Sequence, residues 1–454
     1  MKSNERAFCA EKAQKQGFYY VWKAMLVEFT FKNFRSFRDQ QVLSLVATRD
    51  KVLGHNLVSM GKLRLLKMAG VYGANASGKS NLINAMNTMR NLVVGSADFK
   101  PGAKLNVKAF LLDDKTQGAP TLFEVTLFHK GIRYQYGFTA TTERFQEEWL
   151  IAYPKGAGQA WYKRTFDKKR NDYDWKYSTF LKGDKAKLAE KTRGNALFLS
   201  VASQWNNEQL MTVYEWFKDK LRVAPPKENF RPVTAELLLD VEGKKKDRDD
   251  LYHFVTEALQ KADLGIRGVS VKKLILDRDK TRRPMDMPEE IRQKVFERLE
   301  LEPPLKVEML HRNPATQRER ACPLHEESDG TQRFFQLLGP WLQTLVLGFT
   351  VFIDELEVSL HPLLTRQLIK FIQHRGKHKA KAQVIFATHD TTLLDPELFR
   401  RDQIWFTEKD EAGASTLYSM ADYKEHRPRK GEAMQKGYLS GRYGAIPILE
   451  DFGL

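Results

Sequence analysis

Residues 68–89 read MAGVYGANASGKSNLINAMNTM, and the reading of this stretch decides the fold. "MAGVY" has the apolar run of a buried strand, and "NLINAMNTM" reads as a helix. Between them "GANASGKS", residues 73–80, satisfies G-x-x-x-x-G-K-[ST] at every fixed position. Gly73 and Gly78 permit the backbone torsions and close approach by which loop N–H groups wrap a phosphate. Asn75, Ala76, Ser77 and Asn81 complete the nucleotide-binding set. Lys79 would reach the β- and γ-phosphates, and Ser80 would ligate Mg²⁺ at the helix N-terminus. The bland alternative is a glycine-rich helix entry with no ligand. The strand–loop–helix context is the one that phosphate binding demands.

A phosphate loop does not by itself separate kinases, GTPases, motors and transporter-type ATPases. Two later strands narrow the choice. "TVFIDELEVSLHP" (350–362) runs from β-branched and aromatic residues into Asp354-Glu355, which suits a buried parallel strand with two carboxylates at its C-terminal end. Asp354 would sit in the Mg²⁺ shell, and Glu355 would polarise the attacking water. "QVIFATHDTTLLD" (383–395) is another apolar strand, ending in Thr388-His389-Asp390. His389 at that edge can donate a hydrogen bond to a γ-phosphate. A histidine met alone is more often structural; one that follows the Asp-Glu strand on the same edge has a catalytic role open to it. The catalytic set is therefore Lys79, Glu355 and His389, and the metal set Ser80 and Asp354.

Between the phosphate loop and the Asp-Glu strand lies "HEESDGTQRFFQLLGPW" (325–341). A serine capping an ordinary helix would explain it locally. Together, however, these motifs in this order resemble the ABC-like ATPases, whose fourth element is a signature of the form L-S-G-G-Q. Ser328, Gly330 and Gln332 occupy the corresponding places, while Asp329 and Thr331 depart from the transporter form. The departure resembles the overcoming-lysogenization-defect-like and RecF-like branch. "FTFKNFRSFRDQQVLSLVA" (29–47) resembles the opening strands of RecF-like ATPases. "DLGIRGVSV" (263–271), "DELEVSLHP" and "GYLSGRYGAIP" (437–447) resemble the bacterial AAA-type ATPases of abortive phage infection, the RloA and AbiL type. The resemblance implies a nucleotide shared by two protomers, with residues 328–332 facing the partner's γ-phosphate. It also implies a homodimer or higher homo-oligomer in antiviral defence, and a separate toxic effector, a nuclease or toxin, encoded nearby. The alternative is a RecF- or SMC-like DNA-binding ATPase of genome maintenance. The overcoming-lysogenization-defect nucleases carry a C-terminal metal-dependent nuclease domain, for which no room is expected after this core.

Composition agrees with a folded intracellular protein. Of 454 residues, 42% are hydrophobic and 11% aromatic, enough for two or three domains. Only Cys9 and Cys322 are present, so no disulfide framework is available and the cytoplasm is expected. The first 24 residues lack the apolar core of a signal peptide, and no membrane span is expected. The net charge of +17 leaves open DNA contact or a solvated basic surface. "KKK" (244–246) and "KKLILDRDKTRR" (272–283) are local basic clusters, and the "DRD" within the second reads as solvated charge, not as a metal site. His311, His325, His361 and His374 are scattered, and no Cys/His group has zinc spacing.

The expected organisation is α/β: a P-loop NTPase of ABC-ATPase type, split by a largely helical insertion. Residues 1–24 form an N-terminal extension, 25–150 the first part of the ATPase domain, 151–305 the insertion and 306–454 the second part. Within the first part, "PTLFEVTLFHKGIRYQYGFTA" (120–140) predicts a hairpin around Lys130-Gly131.

Overall fold

A computed structural model describes residues 24–224, 233–239, 245–262, 265–274, 303–374, 382–423 and 434–447. The chain divides into two units, one of residues 1–228, 343–357 and 366–454, the other of 229–342 and 358–365. The N-terminal extension to residue 23, the "DRD" cluster and the 244–246 lysines' side chains lie outside the described residues.

The first unit holds two main sheets. One has seven antiparallel strands: β1 (Met25–Lys32), β2 (Gln41–Ser44), β6 (Thr121–His129), β7 (Ile132–Ala140), β8 (Phe145–Tyr153), β9 (Gln159–Asp167) and β10 (Asp172–Tyr177). Their order is β10-β9-β8-β7-β6-β1-β2. In β6, Thr121, Phe123, Val125, Leu127 and His129 turn inward in strict alternation, the period of a half-buried strand. The β6–β7 hairpin turns at Lys130 (φ 47°) and Gly131 (φ 81°), the two positive torsions that a two-residue I′ turn requires.

The second sheet consists of β11 (Leu221–Ala224), β15 (Thr350–Ile353), β16 (Gln383–Ala387), β5 (Met68–Tyr72), β17 (Ile404–Lys409) and β18 (Ser415–Ser419), in that spatial order. All neighbours are parallel except β17 and β18. Every residue of β5, β15 and β16 is buried, which is why these segments read as unbroken apolar runs instead of alternating. Strands β3 (Leu57–Met60) and β4 (Leu63–Leu66) form a separate ribbon. Helix α1 (Lys79–Gly95) follows β5 and buries Leu82, Ile83, Ala85, Met86, Met89, Leu92 and Val93.

Two buried polar groups fasten this unit. Gln383 donates to the carbonyls of Leu26 (3.0 Å) and Leu66 (3.1 Å), and its Oε1 accepts from the Leu26 N–H (2.6 Å), so one amide joins β1, β4 and β16. Glu148 of β8 and Arg164 of β9 are fully buried register partners with nitrogen and oxygen 2.9 Å apart. The Glu148 carboxylate accepts from Tyr136 and Tyr162 hydroxyls (3.1 and 2.8 Å) and from the N–H groups of Phe198 and Leu199 (2.8 and 3.0 Å). The last two open helix α2 (Phe198–Gln204), whose preceding residue Leu197 supplies no side-chain cap. A carboxylate from the sheet thus satisfies donors that a helix start leaves orphaned.

Residues 151–177, expected in the helical insertion, are largely strand. β9 and β10 extend the antiparallel sheet, because Tyr173, Trp175 and Tyr177 alternate with exposed Asp172, Asp174 and Lys176. Farther on, helices α3 (Glu208–Glu215), α4 (Val233–Leu239) and α5 (Lys245–Lys261) do occur.

The second unit contains α4, α5 and a three-stranded sheet of β12 (Ile266–Lys273), β13 (Leu305–Arg312) and β14 (Glu319–Pro323). Helix α6 (Asp329–Leu347) begins in it and carries Pro340 internally. A proline there leaves the carbonyl of Gln336 without its usual donor. The Thr234 hydroxyl stands at this point, 2.7 and 3.2 Å from the Phe335 and Gln336 carbonyls, and accepts from the Gly339 N–H (2.9 Å). The close approach requires glycine: a Cβ on Gly339 would lie 2.6 Å from the Thr234 Cα.

Candidate nucleotide-binding site

The loop from Gly73 to Gly78 leaves the C-terminal end of β5 and enters α1. Gly73 (φ 155°) and Gly78 (φ 122°) take torsions that L side chains rarely adopt, and Ala76 is left-handed (φ 59°). A Cβ on Gly73 would sit 2.4 Å from the Thr407 carbonyl, and one on Gly78 would sit 2.8 Å from Ser415 Oγ. The loop is thus seated on β17 and β18. The buried Ser77 hydroxyl lies 2.7 Å from the Thr407 hydroxyl, while Asn75 and Ala76 are exposed at the rim.

Lys79 is buried and donates back to the carbonyls of Gly73 (2.8 Å) and Ala74 (2.9 Å). Burial pulls its ammonium down to about 8, against the opposing charges of Asp354, Glu357 and Glu355. Asp354, the residue after β15, is buried too, and burial raises its carboxyl above the usual range. The Ser80 hydroxyl hydrogen-bonds to it and, with the Lys79 charge, opposes that rise. Glu355 follows in the left-handed region (φ 52°), an uncommon torsion for a glutamate and a mark of a chain held for position. His389 stands two residues beyond β16. Partial burial and then the Lys79 charge hold its imidazole below the ordinary value, opposed by Glu357, Glu355 and Asp354. Lys79, Ser80, Asp354, Glu355 and His389, drawn from three segments spanning 310 residues of chain, therefore meet at the C-terminal edge of one parallel sheet. That edge is where such sheets take ligands.

Several contributors escaped the sequence reading. Asn33 (φ 54°) and Arg35 (φ 51°) shape a tight turn after β1. Asn81 donates to the Ser36 hydroxyl (2.8 Å) and lies 3.4 Å from the Arg35 guanidinium. The turn thereby braces the start of α1. The "NFRSF" segment carried a signal for this: asparagine tolerates the left-handed region that the turn needs. Glu357 and Tyr72 also belong to the site's wall. Burial, then Asp390 and Glu357, push the Tyr72 phenol well above its usual value.

The 328–332 segment lies in the second unit. Ser328 precedes α6, its Oγ accepting from the Thr331 N–H (3.2 Å) and lying 2.9 Å from the Thr331 hydroxyl. This is the geometry of a helix cap. Gln332 donates to the Glu327 carbonyl (2.8 Å). Ser328 and Asp329 are exposed, Thr331 is buried, and a Cβ on Gly330 would come 3.0 Å from the Ser359 carbonyl.

Among the described residues no helix is long and apolar enough to cross a membrane. The family model described as "AAA domain, putative AbiEii toxin, Type IV TA system" matches residues 68–395. That is well over half of the chain, which therefore belongs to this family, and its fold is the α/β P-loop NTPase fold. None of the curated proteins matches. Among solved structures, the SMC head domain from Thermotoga maritima is 13% identical, with 87% of this chain and 98% of that one covered and a TM-score of 0.36. An SMC head bound to the C-winged helix domain of ScpA is also 13% identical, covering 87% and 97% at 0.36. An SMC head with an extended coiled coil, bound to the C-terminal domain of ScpA derived from Pyrococcus furiosus, is again 13% identical, covering 87% and 96% at 0.35.

Proposed function

We propose that this member of the AAA-domain family is an ATP-hydrolysing, ABC-like ATPase of the RloA and AbiL type. It acts as a dimeric nucleotide-driven switch in bacterial anti-phage defence and controls a separate toxic effector. The observation that carries the reading is the convergence of Lys79, Ser80, Asp354, Glu355 and His389 on one sheet edge, beside a loop seated so closely on β17 and β18 that a Cβ at Gly73 or Gly78 would collide with Thr407 or Ser415.

The residues suit Mg²⁺ and ATP. Asp354 Oδ2 is buried without a hydrogen-bond partner, and the Ser80 hydroxyl is directed to the same carboxyl. A hard cation prefers such oxygen donors. Bound Mg²⁺ would neutralise charge on the β- and γ-phosphates. Lys79, now turned onto its own loop carbonyls, would exchange them for phosphate oxygens. Glu355 would take the proton of the attacking water, and His389 would donate to the γ-phosphate. Ser328 and Gly330, with Asp329, Thr331 and Gln332 around them, would face the nucleotide of the partner protomer from a helix N-terminus. Closure and reopening then alternate with binding and hydrolysis, a two-state switch.

Phosphate release by the purified protein with Mg²⁺ and ATP tests the chemistry. Lys79→Ala should abolish ATP binding, and Glu355→Gln should bind ATP without turnover and accumulate as a dimer in light scattering. Wild-type turnover in Glu355→Gln would remove the general-base assignment. Co-purification with the product of the adjacent gene tests the biology. A stable complex with a nuclease-like protein supports the effector reading. ATP-dependent DNA binding by this chain alone, which its +17 charge would favour, supports a RecF- or SMC-like maintenance role instead.

A further inference from the structure

We propose that Glu357 is a positioning residue for His389. The inference rests on the ATPase reading above and assigns a second carboxylate of the same site. After β15 ends at Ile353, the left-handed Glu355 turns the chain, and Leu356 is driven fully into the interior. The Leu356 N–H donates to the carbonyl of Ala387, the last residue of β16, at 3.2 Å. This pins the following Glu357 beside the end of the neighbouring strand. One carboxylate oxygen, Oε1, accepts the backbone N–H of His389 at 2.5 Å. The other, Oε2, is buried and has no hydrogen-bond partner.

The chemistry follows from where His389 stands. Thr388 is still tied to the central strand, its N–H donating to the Val71 carbonyl (3.1 Å), and Asp390 is tied back to the Thr388 hydroxyl (3.0 Å). His389 lies past the ladder, so its amide acceptor is a side chain. A charge-assisted bond of this kind is short and directional, and it fixes the Cα from which the imidazole projects. Groups that reach the reacting atoms are held in place by such outer contacts, and a small displacement is costly in rate. Glu355 would touch the water; Glu357 would act through His389.

The test compares Glu357→Ala and Glu357→Gln in the full chain, by phosphate release and by ATP binding. Glu357→Ala is expected to lower kcat roughly 10–100-fold with little change in KM or in Kd for ATP. Glu357→Gln keeps an oxygen acceptor for the His389 N–H and should recover most of the rate. Adding Glu357→Ala to His389→Ala should cost nothing further, because without the imidazole there is nothing left for Glu357 to position. Wild-type kcat in Glu357→Ala would overturn the inference, as would a Gln variant as inactive as the Ala variant. Multiplied losses in the double variant would overturn it too. If Glu357→Ala does not fold, the Gln variant and His389→Ala decide. No Lys79-dependent phosphate release from wild type would overturn the ATPase reading itself, and this inference with it. Normal wild-type release beside an unaffected Glu357→Ala would overturn the inference alone.

Discussion

Glu148→Ala is expected to destabilise the first unit severely without touching the nucleotide site. The carboxylate is fully buried, is ion-paired with Arg164 at 2.9 Å, and accepts from four donors: the Tyr136 and Tyr162 hydroxyls and the first two N–H groups of α2. Removing one member of a buried ion pair costs about 3–5 kcal/mol, because the other charge stays behind unpaired. Each donor left bare adds about 1–3 kcal/mol, less what water entering the gap restores. A net loss of about 4 kcal/mol is a large fraction of the roughly 5–15 kcal/mol that holds a domain together. Urea unfolding followed by circular dichroism, with hydrogen exchange at Phe198 and Leu199, should show an early transition and lost protection at α2. The combined Glu148→Met/Arg164→Met variant, which leaves no orphaned charge, should be more stable than Glu148→Ala. An unshifted Glu148→Ala midpoint would refute the reasoning, and so would a double variant that loses the sum of its singles.

Two further outcomes concern the site. Burial lowers Lys79 to about 8 in the free protein, whereas phosphate contact favours the charged form. ATP affinity should therefore fall as pH rises through about 8, and binding near that pH should take up protons. Calorimetry in buffers of different ionisation enthalpy checks the sign; proton release on binding would contradict it. Ser328→Arg should leave ATP binding intact while removing hydrolysis, since its partner in trans would be lost; unchanged turnover would leave Ser328 as a helix cap alone.

The nucleotide loop, its strand and the Asp-Glu and Thr-His strands were legible because each is a wholly buried parallel strand, and such strands are written as apolar runs. The β6–β7 hairpin was legible from its alternation and its Lys-Gly turn. β9 and β10 were not. Their outward faces carry Lys163, Asp172, Asp174 and Lys176, and that charge hid a period-two pattern inside a segment that reads as polar. Glu357 could not be found from spacing alone, because its partner is a backbone amide 32 residues away. The Glu148 network was invisible for the same reason: a buried carboxylate is explained only by the donors that tertiary structure brings to it.

The amide of Gln383 has a consequence for how the protein is made. It bonds Leu26 across 357 residues of chain, and β5 has as neighbours β16 and β17, both synthesised more than 300 residues after it. At roughly 5–20 residues per second on the ribosome, the first strand waits on the order of 20–70 s for its fastening. Through that interval the phosphate loop exists as sequence without a strand on either side of β5 to hold it. Nucleotide competence is then acquired only once β16 and β17 have been made, so a stalled nascent chain ending before Gln383 should not retain ATP, whereas one that exposes residues through Ser419 should.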